Sequence, residues 1–215
     1  MPTEIHREND SVYFTFGRFQ PPTIGHALLI EHVIAVSLAK KGDYYVIPYA
    51  SVNKIPAKLL KNPSDEPVEL KKTNENPLEL KDKIYYLEKM FPDIHLIDIE
   101  EYGVKTIFEI VNLLASHGYK NIYLVVGSDR QPTFEKLFEK YKSDQYYFEV
   151  LGVPNKRDSS AKGAVGMSGT KMRSSANECD FDSFLSGIPI SNTMTKKDAK
   201  TLMNLVRKGL GQTEC

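Results

Sequence analysis

Two short stretches of this chain combine residue types that can hold and polarise a phosphate, and a third sets a polar turn at the end of an apolar run. The first runs Gly17-Arg18-Phe19-Gln20-Pro21-Pro22-Thr23-Ile24-Gly25-His26. Gly17 and Gly25 let backbone approach a ligand closely, Arg18 carries a permanent charge, and His26 can aim a ring N–H at an anion. The second runs Met167-Ser168-Gly169-Thr170-Lys171-Met172-Arg173. Ser168 is a good N-cap, the amides of Gly169 and Thr170 would face outward at a helix start, and Lys171 and Arg173 add charge beside them. The third, Leu124-Val125-Val126-Gly127-Ser128-Asp129-Arg130, ends an apolar run in a polar turn. Each has a plain structural alternative: a turn with a capping histidine, a capped helix with a solvated basic face, and an Asp129 that caps the next helix. The sequence shows no nucleophile elbow, no Cys–His pattern and no metal-ligand cluster. His6, His32, His95 and His117 fall at a tail, on another helix face, in a strand and at a helix end, and are assigned no chemistry.

The elements that must position these groups alternate. The β-branched and aromatic run 12–16 reads as a strand ending at Gly17. From Thr23 as N-cap, the pattern Ala27-Leu28-Leu29-Ile30 with Val33, Ile34, Val36 and Leu38 reads as a largely buried helix to Lys40-Lys41, with Gly42 as its stop. A strand at 44–49 follows. After a long polar stretch, Asn76 as cap and Pro77 at the first helical position open a helix through Leu80, Ile84, Leu87 and Met90. Strands at 95–99, 122–126 and 147–153 then alternate with helices at 106–117 and 131–141. Strands separated by helices imply parallel neighbours, because parallel pairing needs crossover connections. The expected fold is α/β, a Rossmann-like doubly wound parallel sheet of about five strands with a C-terminal helical extension. Helices are expected at 169–176, 180–186 and 196–207. The division is 1–155 for the core and 156–215 for the second motif and C-terminal helices of the same domain. In such a sheet the ligand site lies outside the carboxyl ends of the strands, where Gly17 to Thr23 sits.

Composition narrows the classes. At 215 residues, with 41% hydrophobic and 26% charged, the chain suffices for one substantial core. Lys+Arg and Asp+Glu balance at 28 each, so no long-range field draws it to nucleic acid or an anionic membrane. Met1 to Asp10 lacks the basic-then-apolar order of a secretory signal, and no run approaches the roughly 20 apolar residues of a membrane span. Cys179 and Cys215 form no framework or metal spacing and read as structural or incidental, which fits a reducing compartment. A soluble, cytoplasmic protein is expected, and a homo-oligomer is compatible with this. The stretch 51–75, at about 25 residues, exceeds the usual connection and suggests a lid or an insert.

The first string resembles the signature loop of the HxGH nucleotidyltransferase superfamily, most of all the archaeal-type nicotinamide mononucleotide adenylyltransferases, in which it runs Gly-Arg-Phe-Gln-Pro, two variable positions and Gly-His. Thr23 stands where that branch has its first histidine, and the related phosphopantetheine adenylyltransferases also carry Thr there. Ser168 to Arg173 looks like the family's second motif, and Gly127-Ser128-Asp129 is similar to its nucleotide-contacting turn. Ser51 to Asn53 and Asn76-Pro77-Leu78 resemble loops flanking the acceptor.

The resemblance implies transfer of AMP from ATP to a phosphate-bearing acceptor, first of all nicotinamide mononucleotide. A phosphopantetheine adenylyltransferase or a cytidylyltransferase is the alternative, and a non-catalytic nucleotide-binding regulator the reading from another class. It further implies Thr23, His26, Lys171 and Arg173 as catalytic residues, with Gly17, Arg18, Phe19, Gln20, Gly25, Gly127, Ser128, Asp129, Ser168, Gly169 and Thr170 binding nucleotide. Magnesium would be bound mainly through ATP, with no protein metal site. An acceptor phosphate is already anionic, so no general base is needed; the protein supplies in-line positioning and charge stabilisation.

Overall fold

The computed structural model describes residues 4–49, 76–139, 143–154 and 166–215. Four parallel strands, β1 (Ser11–Gly17), β2 (Asp43–Pro48), β3 (Asn121–Gly127) and β4 (Tyr147–Val153), form one sheet in the order β2-β1-β3-β4. The chain steps from β1 outward to β2 through α1 (Ile24–Lys40). It then crosses back through α2 (Leu80–Met90) and α3 (Ile107–Ser116) to β3, and reaches β4 through α4 (Gln131–Phe138). The result is a Rossmann-like α/β fold whose direction of winding reverses between β1 and β3. Pairing of β1 with β2 continues to Gly17↔Pro48, whereas pairing of β1 with β3 stops at Phe14↔Leu124. Beyond that point the two central strands part, which opens a crevice at their carboxyl ends.

Alternation along β1 divides the core. Val12 and Phe14 pack with α2 and α3 residues such as Leu87 and Leu114, while Tyr13 packs with Val33 of α1 and with Val125 and Val153. A second cluster joins α5 (Gly169–Asn177), α6 (Phe181–Leu185) and α7 (Lys196–Gly209) to Leu78, Tyr86 and Met90 at α2. The helical extension is thus seated on α2. Among the described residues no helix is long and apolar enough to cross a membrane.

Several expectations need correction. Residues 95–99 form no strand: Val46 donates to His95 O (2.8 Å) and accepts from Ile97 N (3.2 Å) in a single parallel bridge, so the sheet has four strands. Leu96, Ile97 and Ile99 are buried, so the apolar signal was one of core burial. α2 starts at Leu80, with Glu79 and not Asn76 at its N-cap, because the Gln20 side chain holds the Leu78 backbone outside the helix. α1 is only half-buried, with Leu38 72% exposed, and its left-handed C-cap is Lys41 rather than Gly42. Gly42 is needed for space, since a Cβ there would lie 2.6 Å from the Tyr13 ring.

The cysteines are not incidental. After α7 the chain folds back, with Gln212 N donating to Arg207 O and Arg207 Nε to Thr213 O, and this brings Cys215 to Cys179, Cα to Cα 5.9 Å, in a disulfide. The spacing of the two cysteines therefore provides no argument for a reducing compartment. Residues 50–75, 140–142 and 155–165 lie outside the described residues, and with them the expected lid or insert at 51–75.

Candidate active site

The turn after β1 is built to present one ring. Thr23 caps α1: its hydroxyl accepts from the Gly25 amide (3.1 Å), and its own amide donates to His26 Nδ1 (3.0 Å). Because Nδ1 accepts, neutral His26 carries its proton on Nε2, the nitrogen on the far side of the ring. The ring sits 4.8 Å from that of Phe19, which is buried and held at a left-handed φ of 47°. A non-glycine residue in that conformation costs about 1–3 kcal/mol, a strain that persists only when its surroundings over-determine it. They do so here. Gln20 donates from Nε2 to Leu78 O (2.7 Å) and accepts from Leu78 N (2.9 Å), while Gly17 O accepts from Tyr49 N (3.1 Å).

The second motif arrives from the other end of the chain. Arg173, on α5, donates through its guanidinium to Gln20 O (2.6 Å) and to Thr170 Oγ1 (3.2 Å). Gly169 lies so close to the first turn that a Cβ would stand 2.6 Å from Gln20 O. Ser168 caps α5 by accepting from Lys171 N. The two motifs, 153 residues apart at this hydrogen bond, are thus in direct contact.

Between them lies a cleft of about 560 Å³. Of the residues expected at the site, Gly17, Arg18, Phe19, Gln20, Gly25, His26, Gly127, Asp129, Ser168, Gly169, Thr170 and Arg173 line it. Thr23, Ser128 and Lys171 do not. Thr23 is wholly buried behind His26, with its hydroxyl committed to Gly25 N and His26 Nδ1. Ser128 Oγ is buried beneath the turn, and Lys171 is exposed on α5. The amides expected to face an anion are also redistributed. Those of Ile24, Gly25 and His26 donate to Gly187 O, Thr23 Oγ1 and Thr23 O. Among the described residues the amides of Gly169 and Thr170 have no acceptor, so the open helix start belongs to α5.

Two polar residues that sequence reasoning left out of the site also line the cleft, beside several apolar ones: Arg130, an exposed cation just past Asp129, and Thr15 of β1. Thr15 was legible as the one polar residue in the run Val12-Tyr13-Phe14-Thr15-Phe16. It is fully buried, and its hydroxyl has no partner among the described residues. Among the described lining residues Asp129 is the only carboxylate, and no cluster of three or more potential metal ligands occurs among the described residues. What the arrangement offers is cations and N–H donors around a crevice: Arg18, Arg130, Arg173, His26 Nε2 and the α5 amides. That set suits a polyphosphate held at a helix start.

No family model matches the sequence, and neither does any curated protein. Solved structures of similar fold do exist. Nicotinic acid mononucleotide adenylyltransferase of Plasmodium falciparum, solved in complex with NaAD, aligns with a TM-score of 0.54 at 14% identity over 92% of this chain and 98% of its own. A Vibrio parahaemolyticus protein provisionally assigned as a nicotinate-nucleotide adenylyltransferase aligns with a TM-score of 0.49 at 15% identity, over 90% of this chain and 99% of that one. At such identities the Plasmodium alignment speaks for the fold, which is the one described above.

Proposed function

We propose that the cleft binds ATP and transfers its AMP to the phosphate of an acceptor nucleotide, first of all nicotinamide mononucleotide, to give NAD and pyrophosphate. The observation that carries this reading is the contact between the two motifs: Arg173 closes on Gln20 O, so that His26 and the open amides of α5 address one crevice. The acceptor phosphate attacks the α-phosphorus, its P–O bond forms as the bond to pyrophosphate breaks, and the leaving pyrophosphate takes the electron pair. Such a reaction asks the protein for alignment and charge stabilisation rather than for a base. His26 Nε2–H donates to a phosphate oxygen as charge develops, and Thr23 acts by fixing the ring. Arg18, Arg173 and Arg130 neutralise the triphosphate. Lys171, exposed on α5, is assigned a share in holding the pyrophosphate end.

Magnesium fits this donor set only as a passenger on the triphosphate. The phosphates would hold it, with Asp129 the nearby carboxylate that could steady it, and it would add positive charge beside the leaving pyrophosphate.

The deciding experiment incubates the protein with ATP, magnesium and, in turn, nicotinamide mononucleotide, nicotinic acid mononucleotide and phosphopantetheine, and measures pyrophosphate and the adenylylated product. Release only with nicotinamide mononucleotide supports the full reading, and release only with another acceptor keeps adenylyl transfer and corrects the acceptor. ATP binding without release from any acceptor sinks the catalytic reading in favour of a nucleotide-binding regulator.

A further inference from the structure

Lys83 stands at a core position of α2, between Leu80 and Leu87 on the same face, and is completely buried. Its ammonium donates to Tyr49 O and lies 5.8 Å above the Tyr49 ring. Tyr49 follows directly on β2. Its amide donates to Gly17 O (3.1 Å), and its ring stacks on Phe16 at 4.5 Å. Phe16 and Gly17 both line the cleft. An ammonium has three N–H donors, and among the described residues this one has a single acceptor and no carboxylate within salt-bridge distance. A buried cation so poorly matched is costly and persists for a reason.

We propose that Lys83 is a positioning residue of the nucleotide cleft, a buried cation that braces the Gly17 turn through Tyr49 and finds its counter-charge in the anion bound there. The inference rests on the reading of the cleft as an ATP site. Burial pulls the Lys83 pKa down to about 8, and Glu100, from the loop before α3, pulls weakly the other way. On α2 itself the nearest ionisable groups are the exposed Glu79, which pairs with Lys81, the half-buried Asp82, and Tyr86; β1 and β2 bring Phe16 and Tyr49.

An anion in the cleft favours the protonated lysine, and the lysine reciprocally favours the anion. A rise of about one pKa unit on binding equals a tenfold affinity ratio between the two protonation states. Two signs then oppose each other. With a folded pKa near 8 against 10.5 for an ordinary lysine, the unfolded chain binds more protons between those values, so stability rises with pH across that window. ATP affinity falls over the same window.

The test is calorimetric titration with ATP, without acceptor, at pH 7.5 and 9.5, beside melting temperatures, for the wild type, Lys83→Arg and Lys83→Met. The wild type should lose about tenfold in affinity at pH 9.5. Lys83→Arg, whose guanidinium keeps its charge, should lose far less. Lys83→Met should bind about tenfold more weakly at pH 7.5 while melting no lower than the wild type. Equal pH dependence in the wild type and Lys83→Arg would overturn the proposal. So would full affinity in folded Lys83→Met, which decides the matter even if the arginine does not fit. Binding is read without turnover, so absent pyrophosphate release would remove the transferase reading alone, and a wild type that binds no ATP would remove both.

Discussion

The two ends of the β-sheet are both rich in polar side chains, but only one of them is closed. At the amino end, Asp43 accepts from the amides of Glu8 (2.9 Å) and Asn9 (3.1 Å), from Asn9 Nδ2 (2.7 Å) and from the Tyr119 hydroxyl (2.7 Å). Tyr45 joins the same group through Tyr119 and His6 O. At the carboxyl end, Thr15 Oγ1 and Ser128 Oγ are buried without partners among the described residues, and among these residues Lys83 has Tyr49 O as its one hydrogen-bond acceptor. Physically, a satisfied network contributes to stability, whereas an unsatisfied one destabilises the empty protein. The difference separates the end that holds the fold from the end where we propose that a nucleotide binds.

Breaking the open end should cost activity. His26→Ala removes the Nε2 donor and should lower turnover by about 100-fold or more, the scale of one lost transition-state donor. Its stability should drop only by what a helix cap contributes, about 1 kcal/mol. Steady-state pyrophosphate release and a thermal melt on the same sample check both halves, and undiminished turnover removes His26 from the chemistry.

Breaking the closed end should do the reverse. Asp43→Ala strips the acceptor from the Tyr119 hydroxyl and the Asn9 amides, at a cost of about 2–4 kcal/mol, with kcat/KM changed less than about twofold once the protein is folded. Burial pushes the Asp43 carboxyl up, but the hydrogen bonds from Asn9, Tyr119 and the two amides outweigh it and leave its pKa below 3.8. The stability it contributes is therefore present above 3.8 and lost as pH falls through the lowered value. Acid titration of the melting temperature should show a steeper decline in the wild type than in Asp43→Ala, which keeps only the share of the other paired carboxylates such as Asp198. A variant that loses turnover but not stability would contradict the division between the two ends.

What the sequence made legible follows the same line. Local signals sufficed for what short segments decide alone: the caps at Thr23 and Ser168 and the strands around the crevice all stand where composition and period place them. Long-range contacts decided the rest. Gln20 lines the cleft as expected, but that its amide is also clamped on Leu78, 58 residues away, and so moves the start of α2, no local signal could show. The bridge at Leu96 and the Cys179–Cys215 disulfide likewise depend on where distant backbone folds. Lys83 was accessible in principle, because a lysine on the stripe of Leu80, Ile84 and Leu87 contradicts the apolar period of its own helix.

Thr15→Val sharpens the comparison most finely, because it closes the open end without changing its shape. Thr15 shares a face of β1 with Tyr13, toward α1, and sits where β1 and β3 part. Replacing a buried, unpartnered hydroxyl by a methyl removes a desolvation cost, so the empty protein should gain about 1 kcal/mol, or about 2–4 °C in melting temperature. If the hydroxyl is kept for a ligand atom, ATP affinity should fall by about 3- to 10-fold, the value of one neutral hydrogen bond, and Thr15→Ser should restore it. A valine variant that is more stable and binds ATP unchanged would show that the orphaned hydroxyl is a packing accident, and would leave the contrast between the two ends resting on His26 and Lys83.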